Sequence, residues 1–296
     1  MLIGIIANIT KENVFDVVSS FLVKLKKNNI DYLLTKSLFE ENNKLKIELY
    51  EDFITEDKDI YEKSDVIISI GGDGTMLATA YNAQFYDKPV LGVNLGKLGF
   101  LVEANIDQMD KVIADLKNRN YKIEERMLIT GEVEGYSAEK FFAINDIVID
   151  KGGWPKMIEL TVWVDGEYVT TLSADGLIVA TPTGSTGYSI SVGGPIVSPR
   201  TDVITLSPIS PHSLTVRPLV LPGDQEILIK ADSPHTTVQV NCDGQRSYMF
   251  PPPMEIKIKK SQRPLKLIHT SLTTYFETLR NKLMWGIDLR IKKDDK

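Results

Sequence analysis

A chain of 296 residues, 43% apolar and 25% charged, is long enough for two compact domains and has the make-up of a globular protein in water. Its formal charge of −6 argues against a general nucleic-acid binder, and a lone cysteine, Cys242, excludes an intrachain disulfide framework or a cysteine-built zinc site. No apolar run reaches membrane-spanning length and no basic leader precedes LIGIIA, so a cytoplasmic protein without membrane or nucleic-acid partners is expected.

The first third alternates strands and helices. Residues 2–7 predict a buried strand, and Val14, Phe15, Val17, Val18, Phe21, Leu22 and Leu25 predict a helix with one apolar stripe. Residues 30–34 return as a strand. Residues 36–63 are charged and weakly periodic, which predicts a loop with some helix. Residues 66–70 (VIISI) form a short apolar run, suited to a strand buried on both faces. After a glycine turn and a helix, VLGVN (90–94) is another buried strand, and residues 107–119 predict an amphipathic helix with a capping acid at its start. This pattern implies a Rossmann-like parallel sheet, with ligands bound at the carboxyl ends of its strands.

The chemistry concentrates in the turn after residues 66–70. Gly71, Gly72, Asp73, Gly74 and Thr75 join the strand to a helix carrying Met76, Leu77, Ala80 and Tyr81 on one side. Backbone N–H groups at a helix start form an anion site, and Gly71, Gly72, Gly74 and Thr75 are the candidate loop for a phosphate donor. Asp73 is anomalous there, because a carboxylate repels phosphate. It makes sense if it holds a metal or takes a proton from an attacking hydroxyl. The plainer alternative is an Asp that caps the helix.

From about residue 121 the segments become short, β-branched and alternating: 126–134, 140–150, 157–164, 167–172, 176–181, 203–207, 216–221, 226–231, 236–241, 254–260 and 265–269. Asp165-Gly166 reads as a hairpin turn. The expected architecture is an α/β N-terminal domain (1–120) and an all-β C-terminal domain (121–269). A helix over 273–285 belongs to a segment, 270–296, expected to return to the first domain. Within the β-rich half, residues 174–199 are dense in Gly, Ser and Thr. Their hydroxyls and open backbone suit a polar ligand, with Tyr188 able to stack on a planar ring; a glycine-cornered turn is the alternative. Asn145-Asp146, two polar residues inside the apolar run FFAINDIVI, predict either a buried group that needs a ligand partner or a strand bulge. Other motifs fail: GVNLGKLG (92–99) is no Walker A, and neither GxGxxG after a strand nor GxSxG occurs. The basic tail at 290–296 reads as a frayed end.

Together these motifs resemble the NAD kinase family. GGDGT (71–75) is shared with 6-phosphofructokinases and diacylglycerol-kinase-like lipid kinases. The specific part is DGLIVATPTGSTGYSISVGGPIVSP (175–199), with NLGKLGFL (94–101), AINDIV (143–148) and DGQ (243–245). The resemblance implies transfer of the γ-phosphoryl of ATP, or in some members of polyphosphate, to the adenosine-ribose 2′-hydroxyl of NAD. A divalent metal, Mg²⁺ first among candidates, assists. Asp73 is then the general base, with Gly74 beside the dinucleotide. Asn145 and Asp146 hold the adenosine portion, and Asp175, Thr186, Gly187, Tyr188, Ser189, Ile190, Ser191 and Gln245 line the rest. Lys156 falls where relatives often carry a basic contact, and Phe100 packs near the adenine. Asp146 is Glu in many relatives, and Ser173 stands where some have Arg, which leaves the choice between NAD and NADH open. The family forms homodimers or homotetramers, so an oligomer is expected. The rival readings are a lipid kinase, a phosphofructokinase and, from another class, a dinucleotide sensor without chemistry.

Overall fold

The computed structural model describes residues 1–40, 54–96, 99–136, 140–270 and 272–286. Residues 41–53 of the stretch expected as a loop with some helix, residues 97 and 98 of NLGKLGFL, and the basic tail at 290–296 lie outside the described residues. The chain divides into two compact units, Met1–Glu124 with Lys266–Lys296, and Glu125–Leu265.

The first stretch runs β1 (Leu2–Ala7), α1 (Val14–Lys27), β2 (Asp31–Thr35), α2 (Lys36–Glu40), β3 (Ile54–Thr55), α3 (Asp57–Lys63), β4 (Val66–Gly71) and α4 (Asp73–Ala83). It continues through β5 (Val90–Asn94), β6 (Ala104–Asn105), α5 (Met109–Lys117) and β7 (Lys122–Arg126). Then come β8 (Ile129–Val133), β9 (Lys140–Ala143), β10 (Asp146–Asp150), β11 (Ile158–Val164), β12 (Glu167–Ala174) and β13 (Gly176–Ala180). A short helix, α6 (Tyr188–Ser191), precedes β14 (Val203–Ile209), β15 (Leu219–Pro222), β16 (Ile227–Asp232), β17 (Val238–Cys242), β18 (Arg246–Phe250) and β19 (Met254–Lys260). The described chain closes with β20 (Leu265–His269) and α7 (Tyr275–Leu283).

In the first unit the sheet order is β3-β2-β1-β4-β5-β20-β7, with β6 also on β5. The pairs β3–β2, β2–β1, β1–β4, β4–β5 and β5–β20 are parallel. Every residue of β4 is buried, as a strand in mid-sheet must be. The α1 stripe buries Val14, Phe15, Val18, Phe21, Leu22 and Leu25 against Ile3, Ile5 and Ile68. Each such side chain is worth about 1.5–3 kcal/mol in transfer free energy.

Two expectations are corrected here. The helix expected over 107–119 begins with a 3₁₀ turn at Ile106–Gln108; the Gln108 side chain accepts the Asn105 N–H at 2.9 Å, and Asp107 lies inside the turn instead of capping it. The strand at Leu265–His269, grouped by its alternation with the β-rich half, pairs in parallel with β5 through Leu267 and Val90. Alternation encodes an extended segment with two faces, but not the neighbour it pairs with.

The second unit holds two antiparallel six-stranded sheets, β15-β14-β13-β10-β17-β18 and β12-β11-β16-β19-β8-β9. One core lies between them, built from Ile147, Ile149, Leu177, Val179 and Val240 of one sheet and Leu160, Val162, Ile229, Ile256 and Ile258 of the other. Asp165 and Gly166, at φ of 50° and 81°, make the expected hairpin turn between β11 and β12. The expected single strand over 140–150 is two: β9 lies in one sheet and β10 in the other, with the crossing at Ile144 and Asn145. The final helix belongs to the first unit, as expected. It starts on a capping box in which Thr274 Oγ1 accepts the Glu277 N–H and Glu277 Oε2 accepts the Thr274 N–H. Among the described residues no helix is long and apolar enough to cross a membrane.

Candidate active site

In the first unit, β4 ends in Gly71 and α4 starts at once. Gly72 is its N-cap residue, and the Met76 N–H bonds the Gly72 carbonyl at 3.0 Å. Asp73, Gly74 and Thr75 are therefore the first turn of the helix, at the positive end of its dipole and the carboxyl edge of the parallel strands. The neighbouring strand ends brace the turn: Asn8 Nδ2 donates to Thr75 Oγ1 at 3.3 Å, and the Leu95 N–H donates to the Gly71 carbonyl at 3.2 Å.

Asp73 is not the cap. Its Oδ2 accepts the Phe100 N–H at 3.0 Å and its Oδ1 the Leu101 N–H at 3.1 Å, and Lys282 of α7 places Nζ 3.3 Å from Oδ2. A Cβ at Gly99 would overlap this carboxylate, so the loop can close over Asp73 only with glycine there. The result is a carboxylate locked in one orientation by two backbone donors and a cation. Among the described residues no group of three or more His, Cys, Asp and Glu is gathered to hold a metal ion.

In the second unit the sheet-switching bend at Ile144 and Asn145 is held from two sides. Asp243, between β17 and β18, accepts the N–H groups of Ile144 (2.9 Å), Asn145 (2.7 Å) and Asp146 (3.3 Å), and Arg246 Nη2 lies 2.8 Å from its Oδ2. From the other side, the Thr181 N–H donates to the Asn145 carbonyl at 2.8 Å and Thr181 Oγ1 to the Ile144 carbonyl at 2.6 Å. A Cβ at Gly184 would run into the Asn145 backbone, which explains one glycine of the 174–199 stretch.

A cavity of about 280 Å³ opens beside this bend, lined by Asn145, Asp146, Val148, Asp150, Tyr188, Asn241, Asp243 and Gly244. Burial, and next the Asp243 charge, push Asp146 from an ordinary value near 3.8 up to about 7. Burial pushes Asp243 up as well, against the pull of its N–H donors and Arg246. Because Asp243 has those partners, Asp146 is the member of the pair more readily protonated. Asp150, also in the cavity lining, is raised by burial while Gly152 and Asn241 donate to it. Cys242 is driven up to about 12 by burial and is an inert core thiol.

Of the residues expected from sequence, Asn145, Asp146 and Tyr188 share this cavity, with Tyr188 46% exposed. Gln245 sits in the same turn as Asp243, its N–H on the Cys242 carbonyl. Thr186 and Gly187 end the 3₁₀ turn that leads into α6; in α6 Ser189 is buried on Ser207 (2.9 Å), Ile190 is half-buried and Ser191 exposed. Asp175 lies elsewhere. It stands at the opposite end of β13 from residues 181–191 and is ion-paired to Lys151 at 2.7 Å. Lys156 is on the exposed loop between β10 and β11, and Phe100 belongs to the first unit. Sequence reasoning missed Asp243 as a structural anchor, because Asp-Gly between two strands reads as a turn. It also missed Lys282, the single lysine of α7, because nothing in its local window points to a partner 209 positions away.

Comparisons with known proteins agree with these features. Residues 3–121 match the ATP-NAD kinase N-terminal domain and residues 144–270 the ATP-NAD kinase C-terminal domain. The NAD kinase of Chlorobium phaeovibrioides is 37% identical over 287 residues, covering 97% of this chain and 99% of that protein. The NAD kinase of Magnetococcus marinus is 41% identical over 239 residues, 80% of this chain and 79% of its own. Among solved structures, yeast NADH kinase complexed with NADH superposes with a TM-score of 0.90 at 27% identity, over 99% of this chain and 90% of that one. An NAD kinase from Archaeoglobus fulgidus in complex with ATP does so with a TM-score of 0.73 at 26% identity, over 96% and 99%. With both domains matched and relatives above 30% identity spanning nearly its whole length, the chain belongs to the NAD kinase family and is a kinase acting on NAD.

Proposed function

We propose that the chain uses ATP to phosphorylate the adenosine-ribose 2′-hydroxyl of NAD, giving NADP, with Asp73 as general base. The observation that carries this reading is the clamped carboxylate of Asp73 in the first turn of α4. A ribose hydroxyl is a weak nucleophile. A carboxylate fixed within reach accepts its proton as the oxygen bonds to the γ-phosphorus, while the bond to the β-phosphate oxygen breaks and its electron pair leaves with ADP. The dipole of α4 and the N–H groups of the Gly71–Thr75 turn favour the anionic donor. A divalent cation carried on the ATP phosphates supplies neutralisation of their charge when bound. ATP as donor is supported by the likeness to the Archaeoglobus fulgidus enzyme, which was solved with ATP.

In the second unit, Asn145, Asp146 and Tyr188 are assigned to the adenosine portion of the dinucleotide. A neutral Asp146 can donate a hydrogen bond to it, and Tyr188 offers a ring face. Thr186, Gly187, Ser189, Ile190, Ser191 and Gln245 are assigned to the rest of that site. Asp175 and Lys156 stand apart from the cavity within one chain, which fits the reading that the working enzyme is a homo-oligomer. NADH as an alternative acceptor is favoured by the likeness to yeast NADH kinase, and comparing kcat/KM for NAD and NADH decides between them.

The test is Asp73→Asn, with NADP formation measured alongside NAD binding by calorimetry. The variant is expected to fold and bind NAD but to lose about 10²–10⁴-fold in kcat, the usual worth of a general base. Near-native kcat would remove Asp73 from that role.

A further inference from the structure

Asp73 is held by more than its glycine turn. Each carboxylate oxygen offers two acceptor positions. On Oδ2 both are taken, by the Phe100 N–H at 3.0 Å and the Lys282 ammonium at 3.3 Å. On Oδ1 the Leu101 N–H takes one, at 3.1 Å. Among the described residues the open acceptor position on Asp73 is thus on Oδ1, the oxygen that Lys282 does not bond.

Lys282 is delivered by a built path. It rides in the last turn of α7, where a cation is favoured by the helix dipole, and its ammonium also lies 5.3 Å from the centroid of the Phe100 ring. The helix is anchored by the Thr274–Glu277 capping box and by burial of Thr278 and Leu279. The chain leading into it is tied to Glu103, whose buried carboxylate accepts from the Thr270 N–H (2.7 Å), Thr270 Oγ1 (2.9 Å) and His269 Nδ1 (2.7 Å). The Glu103 carbonyl accepts from Thr273 Oγ1 at 2.7 Å. One short stretch, residues 100–103, therefore grips Asp73 at one end and the C-terminal segment at the other.

We propose that Lys282 is a positioning residue of the phosphoryl transfer. By occupying Oδ2 it turns Asp73 so that Oδ1 meets the ribose hydroxyl. The proposal rests on the reading of Asp73 as general base and adds to it a role for the C-terminal helix, some two hundred residues further along the chain. The Lys282 side chain keeps 32% of its surface exposed.

The experiment is a double-mutant cycle on the full chain, with Lys282→Ala, Lys282→Arg, Asp73→Asn and the double variant Asp73→Asn/Lys282→Ala. Steady-state kinetics are measured in both substrates. Lys282→Ala is expected to lower kcat about tenfold, the scale of a small loss of alignment, with KM for NAD unchanged. Lys282→Arg, which keeps a donor cation, is expected to recover most of that loss. In the Asp73→Asn background Lys282→Ala should cost less than about twofold more, because the two residues act as one unit. Native kcat in Lys282→Ala, or a full tenfold loss on top of Asp73→Asn, overturns the proposal. So does a raised KM for ATP at unchanged kcat, which would make Lys282 a phosphate ligand. The Asp73 reading fails separately, through native turnover in Asp73→Asn alone.

Discussion

Asp146→Asn isolates one buried charge whose worth can be worked out. Asp146 is 4% exposed and raised from near 3.8 to about 7, first by burial and then by Asp243. A carboxyl raised on folding favours the native state below its unfolded value, and that advantage is lost as pH rises through the folded one. For these two values the penalty on the folded state grows by about 2–3 kcal/mol between pH 5 and pH 8, with relaxation around the carboxylate reducing it toward about 1. Asn has nearly the same shape, cannot ionise, and can donate toward Asp243. The variant should therefore gain on the parent protein as pH rises. Urea unfolding followed by tryptophan fluorescence is suitable, because Trp154 and Trp163 both lie in the same unit as Asp146. The gap between the two midpoints should widen by up to about 1 M urea from pH 5 to pH 8. Asp150, also raised, gives both proteins a common slope, whereas Asp243 is coupled to Asp146 and its response belongs to the difference between them. A difference that is the same at both pH values means Asp146 ionises as an ordinary surface acid does, and the argument from its burial is wrong.

Two further substitutions probe the two units separately. Gly99→Ala places a Cβ where the Asp73 carboxylate lies, so the carboxylate must swing off the Phe100 and Leu101 N–H groups; kcat should fall at least tenfold while thermal unfolding moves by only a few degrees, and native kcat would show that the clamp is dispensable. Tyr188→Ala removes a half-exposed ring from the cavity wall, so KM for NAD should rise several-fold with stability nearly unchanged, and an unaltered KM would take Tyr188 out of the site.

Much of the architecture was legible because local pattern and burial agree. The α1 stripe, the all-apolar β4, the strand-to-helix turn at residues 71–75 and the Asp165-Gly166 hairpin each follow from spacing within one short window. What spacing cannot carry is partnership. The β20 strand has the alternation of the β-rich half yet lies beside β5, and β18 drew no strand expectation from its polar start. The Asn145-Asp146 dipeptide announced a buried polar group, but not that the chain changes sheets there under three N–H bonds to Asp243.

Composition, the periods of the apolar residues and the glycine-rich motifs by themselves determined an α/β unit followed by a β-rich one, and the family those motifs belong to. The tertiary structure alone decided that Lys282 and Asp73, 209 positions apart, form one ion pair, and that Asp175 and Asp146 do not share a cavity. The reason is physical: a period reports which face of a segment avoids water, whereas a carboxylate's partners are set by chain closure across elements that no local window contains.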